Sequence, residues 1–149
     1  LRPLLLVARA GEAGERERGL LALGSLGDIR ALAELEKIAT ATAEDAAQNP
    51  MIGDDAAAAA SMRAAALEAL GRLLGSAGDK LDADAQRRLL ELLEETLGGE
   101  GPSALREAAL RGLLGYALGR GAGPARERVR ARFETLVMDD GVDNDLRAR

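Results

Sequence analysis

The sequence predicts an all-α chain, and three observations carry that expectation. Leucine and alanine, both strong helix formers, dominate the composition, while one Tyr, one Phe and no Trp leave few of the residues that fill strands. The leucines recur at i, i+3 and i+4, the spacing of a single helical stripe. One frame of residues also returns three times along the chain, as it does where similar helices stack.

That frame reads Arg-x3-Leu-x2-Leu-Gly-x-Leu. Arg16, Leu20, Leu23, Gly24 and Leu26 form the first copy. Arg63, Leu67, Leu70, Gly71 and Leu73 form the second, matched at every position. The third begins with Arg106, Leu110 and Leu113 and then departs: Leu114 stands where Gly is expected, with Gly115 one place later. The copies lie 47 and 43 residues apart. A glycine inside a helix costs about 1 kcal/mol relative to alanine, and close approach of another helix is the expected compensation.

Each copy is followed by a second apolar-periodic segment. Leu32, Leu35 and Ile38 share a face after the first copy. Leu89, Leu92 and Leu93 are expected to point inward within Asp82–Leu97, and Val129, Phe133, Leu136 and Val137 within Pro124–Val137. Asp28 is placed as an N-cap and Pro124 in a first helical turn. Gly27, Gly75, Gly78, Gly119, Gly121 and Gly123 are read as turn residues, with the chain's glycines gathered at helix ends. The stretch Thr40 to Asp55, with Asn49-Pro50 and Gly53, is expected to be a mobile connection.

The segment from Leu23 to Leu32 resembles the turn between the two helices of a HEAT repeat, nearest to the short bacterial kind related to repeats in phycobilisome lyases. Met62 to Gly71 is similar to the first helix of the same family. The resemblance implies an α-α superhelix, an α-solenoid of about three HEAT-like pairs. Its units would be a partial repeat at 1–10, repeats at 14–40, 54–97 (with a long turn) and 103–138, and an acidic tail at 139–149. A tetratricopeptide reading fails on spacing, since it needs a period of about 34. An irregular bundle of helices is the plainer alternative.

The resemblance also implies that the second helices line a concave side. Their exposed positions there would be Arg30, Glu34 and Lys37, then Arg87, Arg88, Glu91 and Glu95, then Arg128 and Arg130. This mixed-charge ridge is expected to bind a protein or peptide, in an interaction or scaffolding module. A lyase-type enzyme is suggested by repeat kinship alone. A structural segment of a longer solenoid is a further alternative.

Enzyme chemistry has little to work with. The chain has no His and no Cys, which removes the commonest general base, the commonest metal ligand and any thiolate chemistry. Catalytic residues, metal ligands and cofactors are therefore all assigned as none. Glu94 and Glu95 diverge by about 100° on a helix and do not converge on one substrate. Asp54 and Asp55 suit the start of the helix that follows. The run Asp139 to Asp145 lacks the glycine position and final Glu of a calcium loop.

Net charge is −5, unevenly spread. Residues 51–102 carry five basic and ten acidic side chains, whereas 103–134 carry seven Arg against three Glu. The Arg-rich third makes nucleic-acid-backbone binding the alternative from another class. It is disfavoured because Arg128, Arg130 and Arg132 scatter over a helical wheel, Glu127 lies within reach of Arg130, and no aromatics are available for base stacking. No run approaches the roughly 18 apolar residues of a membrane span. The opening Leu1 to Ala10 is read as the last helix of an earlier repeat rather than a signal peptide, and a cytoplasmic setting is expected.

Overall fold

The computed structural model describes residues 13–48 and 56–118, together with positions 127, 130, 131 and 134. Six helices are delimited: α1 (Ala13–Leu26), α2 (Leu32–Ala39), α3 (Ala43–Gln48), α4 (Ala56–Ala77), α5 (Ala83–Gly98) and α6 (Ser103–Leu118). Single 3-10 turns, Ile29–Ala31 and Gly78–Lys80, lead into α2 and towards α5. Among the described residues there is no strand.

The long helix α4 organises the rest. It packs most extensively against α6 and α1, and also against α2 and α5, while α5 packs on α6. A helix with so many neighbours needs small residues to let them close in, and Ala59, Ala65, Ala66, Ala69 and Gly71 are all buried. Leu20, Leu23, Leu35, Met62, Leu67, Leu70, Leu73, Leu89 and Leu93 fill the space between helices as one contiguous core. Ala59 makes a separate small contact with Ala41.

The frame glycines sit where backbones nearly touch. A Cβ added at Gly24 would strike the backbone of Ala69, and one at Gly71 would strike the backbone of Gly112. At Gly75 it would lie 2.5 Å from the Gly115 carbonyl oxygen, and at Gly112 2.9 Å from that of Leu67. Ala69 stands two places before Gly71, and Gly112 two places before Leu114. The α1–α4 and α4–α6 contacts therefore share one stagger in the repeated frame.

The frame arginine of the third copy reaches a different neighbour, α5. Arg106 Nε donates to the Leu97 carbonyl at 3.2 Å, so the third copy caps the carbonyl end of α5. Arg16 in the first copy is buried, and Arg63 in the second is half-buried.

Several sequence expectations need correction. Gly75 is not a turn residue: α4 continues to Ala77, and the Gly115 backbone approaches too closely at Gly75 for a side chain. Gly112 and Gly115 likewise lie within α6, while Gly24 and Gly71 lie inside α1 and α4 as the frame predicts. The Thr40–Asp55 connection contains α3, whose start is a reciprocal cap: Asp45 accepts from the Thr42 amide (2.8 Å) and the Thr42 hydroxyl accepts from the Asp45 amide (3.2 Å). The Thr42 amide and hydroxyl both donate to the Asp45 carboxylate, and these two hydrogen bonds lower its pKa. In α5 the core positions are Ala85, Leu89, Leu90, Leu93 and Leu97, with Leu92 only half-buried. The inward stripe turns towards Leu90 because α5 serves both α4 and α6. Residues 1–12, 49–55, 119–126 and 135–149, along with Arg128, Val129, Arg132 and Phe133, lie outside the described residues, and with them the expectations placed there.

Candidate functional site

The second-helix face begins at the turn after α1. Gly27, with φ +67°, closes α1 by donating its amide to the Gly24 carbonyl (3.2 Å). Asp28 then accepts from the Arg30 amide at 3.0 Å, the cap its position predicted. The Arg30 guanidinium returns to the same carboxylate as a fork, with Nε 2.9 Å from Oδ1 and a terminal nitrogen 2.6 Å from Oδ2. The side-chain and backbone hydrogen bonds from Arg30 hold the Asp28 pKa at about 2, and the same pairing raises that of Arg30.

Along α2, Glu34 is half-buried and Lys37 is exposed. On α5, Asp82 caps the start by accepting from the Ala85 amide at 2.7 Å. Arg87 lies 3.1 Å from Asp84 and 4.0 Å from Glu91, pairs that run along the exposed side of the helix. Glu91 and Glu95 are exposed on the same helix. Arg88 leaves α5 and meets Glu36 of α2 at 2.8 Å, which raises the Arg88 pKa through that hydrogen bond. This pair joins α2 and α5 across 52 positions of sequence.

Glu36 did not figure among the ridge residues. Its partner is on another helix, and nothing in its local spacing points there. Further along the chain, exposed Arg130 lies 3.5 Å from Glu127 and 3.4 Å from the Ala117 carbonyl near the end of α6. The predicted Glu127–Arg130 pairing is thus present, and Arg128 is outside the described residues. Of the arginines in this third of the chain, the described Arg111 and Arg130 each lie beside a glutamate.

A second polar array crosses the first helices. Glu68, whose side chain is 12% exposed, accepts from Arg72 (2.7 Å) on its own helix and from Arg111 of α6 (2.9 Å). Arg72 also donates to the Ser25 hydroxyl of α1 at 3.1 Å, and Arg111 lies 3.7 Å from Glu107. The chain Ser25–Arg72–Glu68–Arg111–Glu107 therefore ties α1, α4 and α6 together. The i,i+4 pairs Glu68/Arg72 and Glu107/Arg111 were legible in the sequence. The links between helices were not.

Among the described residues, no three acidic side chains are gathered as a metal ion would require. No described helix is long and apolar enough to cross a membrane. No family model, no curated protein and no solved structure matches the chain.

Proposed function

We propose that the chain is a stack of HEAT-like helical pairs, a non-catalytic interaction or scaffolding module that takes a protein or peptide on the exposed face of its second helices. The observation that carries this reading is the Glu36–Arg88 contact, an ion pair that bridges α2 and α5 at the surface. Such a face offers Lys37, Arg87, Glu91 and Glu95 in both signs of charge, suited to a partner with alternating charges. The common stagger of the α1–α4 and α4–α6 contacts supports the stacked arrangement, because stacked units repeat one interface. The lack of His and Cys throughout supports binding over catalysis. The pairing of Arg30, Arg87, Arg88 and Arg130 with carboxylates argues against phosphate-backbone binding, which needs unneutralised cations.

Site-specific photocrosslinking tests the placement. A crosslinker at Lys37 or Glu91 should capture a discrete partner in the native lysate, and the same group at Glu107 or Arg111 should not. Capture should fall when Arg87 and Arg88 are both changed to Glu. Equal capture from both faces, or capture unaffected by the charge reversal, would sink the assignment to the second helices.

A further inference from the structure

We propose that copies of this chain dock head to tail, the α6 edge of one on the α1 edge of the next, an inference that rests on the stacked-repeat reading above.

The argument starts from positions equivalent under the repeated frame. The last leucine of the frame is buried in the second copy (Leu73) and its counterpart Tyr116 is buried in the third, yet Leu26 in the first copy is 63% exposed. Leu73 lies one turn beyond Ala69, the residue of α4 that faces Gly24 of α1. Leu26 therefore belongs to the side of α1 turned away from α4. Ala22, one turn earlier on that side, is only half-buried, whereas its counterparts Ala69 and Gly112 are buried.

The opposite edge shows the same pattern. Gly71 and Gly75 of α4 face α6, and their counterparts on α6 are Leu114 and Leu118. These two leucines are 44% and 74% exposed. Each edge of the first-helix row thus presents a short apolar stripe at positions that, one unit inward, are covered by a neighbouring helix.

The internal stagger says which residues would meet. Gly71 meets Gly112, two places before the third copy's frame-glycine position, and Gly75 meets Gly115 and Tyr116. Continued onto a second copy, the same stagger sets Leu114 against Ala22 and Leu118 against Ser25 and Leu26. A large side chain then lies over a small one at the first contact, and leucine lies on leucine at the second. Leu114 in place of glycine forbids the close backbone contact seen inside the chain, so the helices meet at the wider end of the usual 8–10 Å range. Two leucines on one edge and an alanine and a leucine on the other fall well short of the ~800 Å² per partner of a stable complex, so the association is reversible. A contact between two different edges is heterologous, and it extends in one direction instead of closing as a twofold dimer.

Sedimentation velocity on the full chain and two variants, Leu26→Lys and Leu118→Lys, provides the test. Lysine is tolerated at the end of a helix, and unchanged far-UV circular dichroism and melting establish that each variant folds. The weight-average mass of the wild type should climb as concentration rises from about 10 μM to about 1 mM, the range in which so small an interface operates. Either variant alone should stay monomeric, because each has lost one edge. Mixed together, the two should form a species of two chains and nothing larger, since each retains the edge the other lacks. A monomeric wild type, a mixture that fails to associate, or a Leu26→Lys variant that associates like the wild type (α6 meeting α6) would each overturn the proposal. None of these results would undo the stacked-repeat reading, whose own test is substitution at the internal glycines.

Discussion

Replacing Gly71 by alanine sets two effects of opposite sign against each other. Helix propensity alone favours the change by about 1 kcal/mol, because alanine loses less backbone freedom on folding. The tertiary structure opposes it. The new methyl would fall on the backbone of Gly112, where no side chain can rotate out of the way, so α4 and α6 must move apart. Overpacking in a well-packed interior costs typically 1–3 kcal/mol, and a backbone-on-backbone collision belongs at the upper end of about 3 kcal/mol. The net expectation is a loss of about 2 kcal/mol, or a melting midpoint lower by roughly 4–8 °C for a chain of this size. Gly115→Ala is the matched control, since its Cβ would meet Arg72 atoms at 3.5–3.8 Å, an ordinary contact. It should be neutral or stabilising by up to about 1 kcal/mol. Urea and thermal unfolding followed at 222 nm measure both variants. A Gly71→Ala protein as stable as the wild type, or as stable as Gly115→Ala, would refute the close-approach explanation of the repeated glycine.

Other consequences can be checked in the same way. Changing Glu68 to Ala removes the shared acceptor of Arg72 and Arg111 and should cost about 1 kcal/mol, less in high salt because both arginines are partly exposed. Changing Asp82 to Ala removes the α5 cap and should cost about 1 kcal/mol in urea unfolding, with Asp82→Asn recovering most of it. For Asp28, the folded pKa of about 2 lies below the ordinary 3.8, so its contribution to stability is present above pH 3.8 and is lost as pH falls towards 2. Carboxyl carbon NMR should show this low pKa directly, and Arg30→Ala should return it towards 3.8; a titration unchanged by that substitution would contradict the fork.

Much of the local structure was legible along the chain. The leucine stripes, the Asp28 cap and the need of Gly24 and Gly71 for a close neighbour follow from period, side-chain chemistry and backbone freedom, all properties of a few consecutive residues. The same reasoning misjudged Gly75, which looked like a turn residue because a glycine near a helix end has the same local signature as one pressed against another helix. It also passed over α3, whose six residues carry too little apolar pattern to stand out.

By itself the sequence determined that this chain is helical, that its helices carry apolar stripes, and that histidine and cysteine chemistry is closed to it. Only the tertiary structure decided which helix meets which and in what stagger. It set Glu36 against Arg88, drew Glu68 between two arginines, and left Leu26, Leu114 and Leu118 uncovered. A residue's own spacing fixes the direction in which it points from its helix axis. What it meets there depends on the surface of a helix roughly 40–50 residues away, and the two surfaces select one another only when they pack.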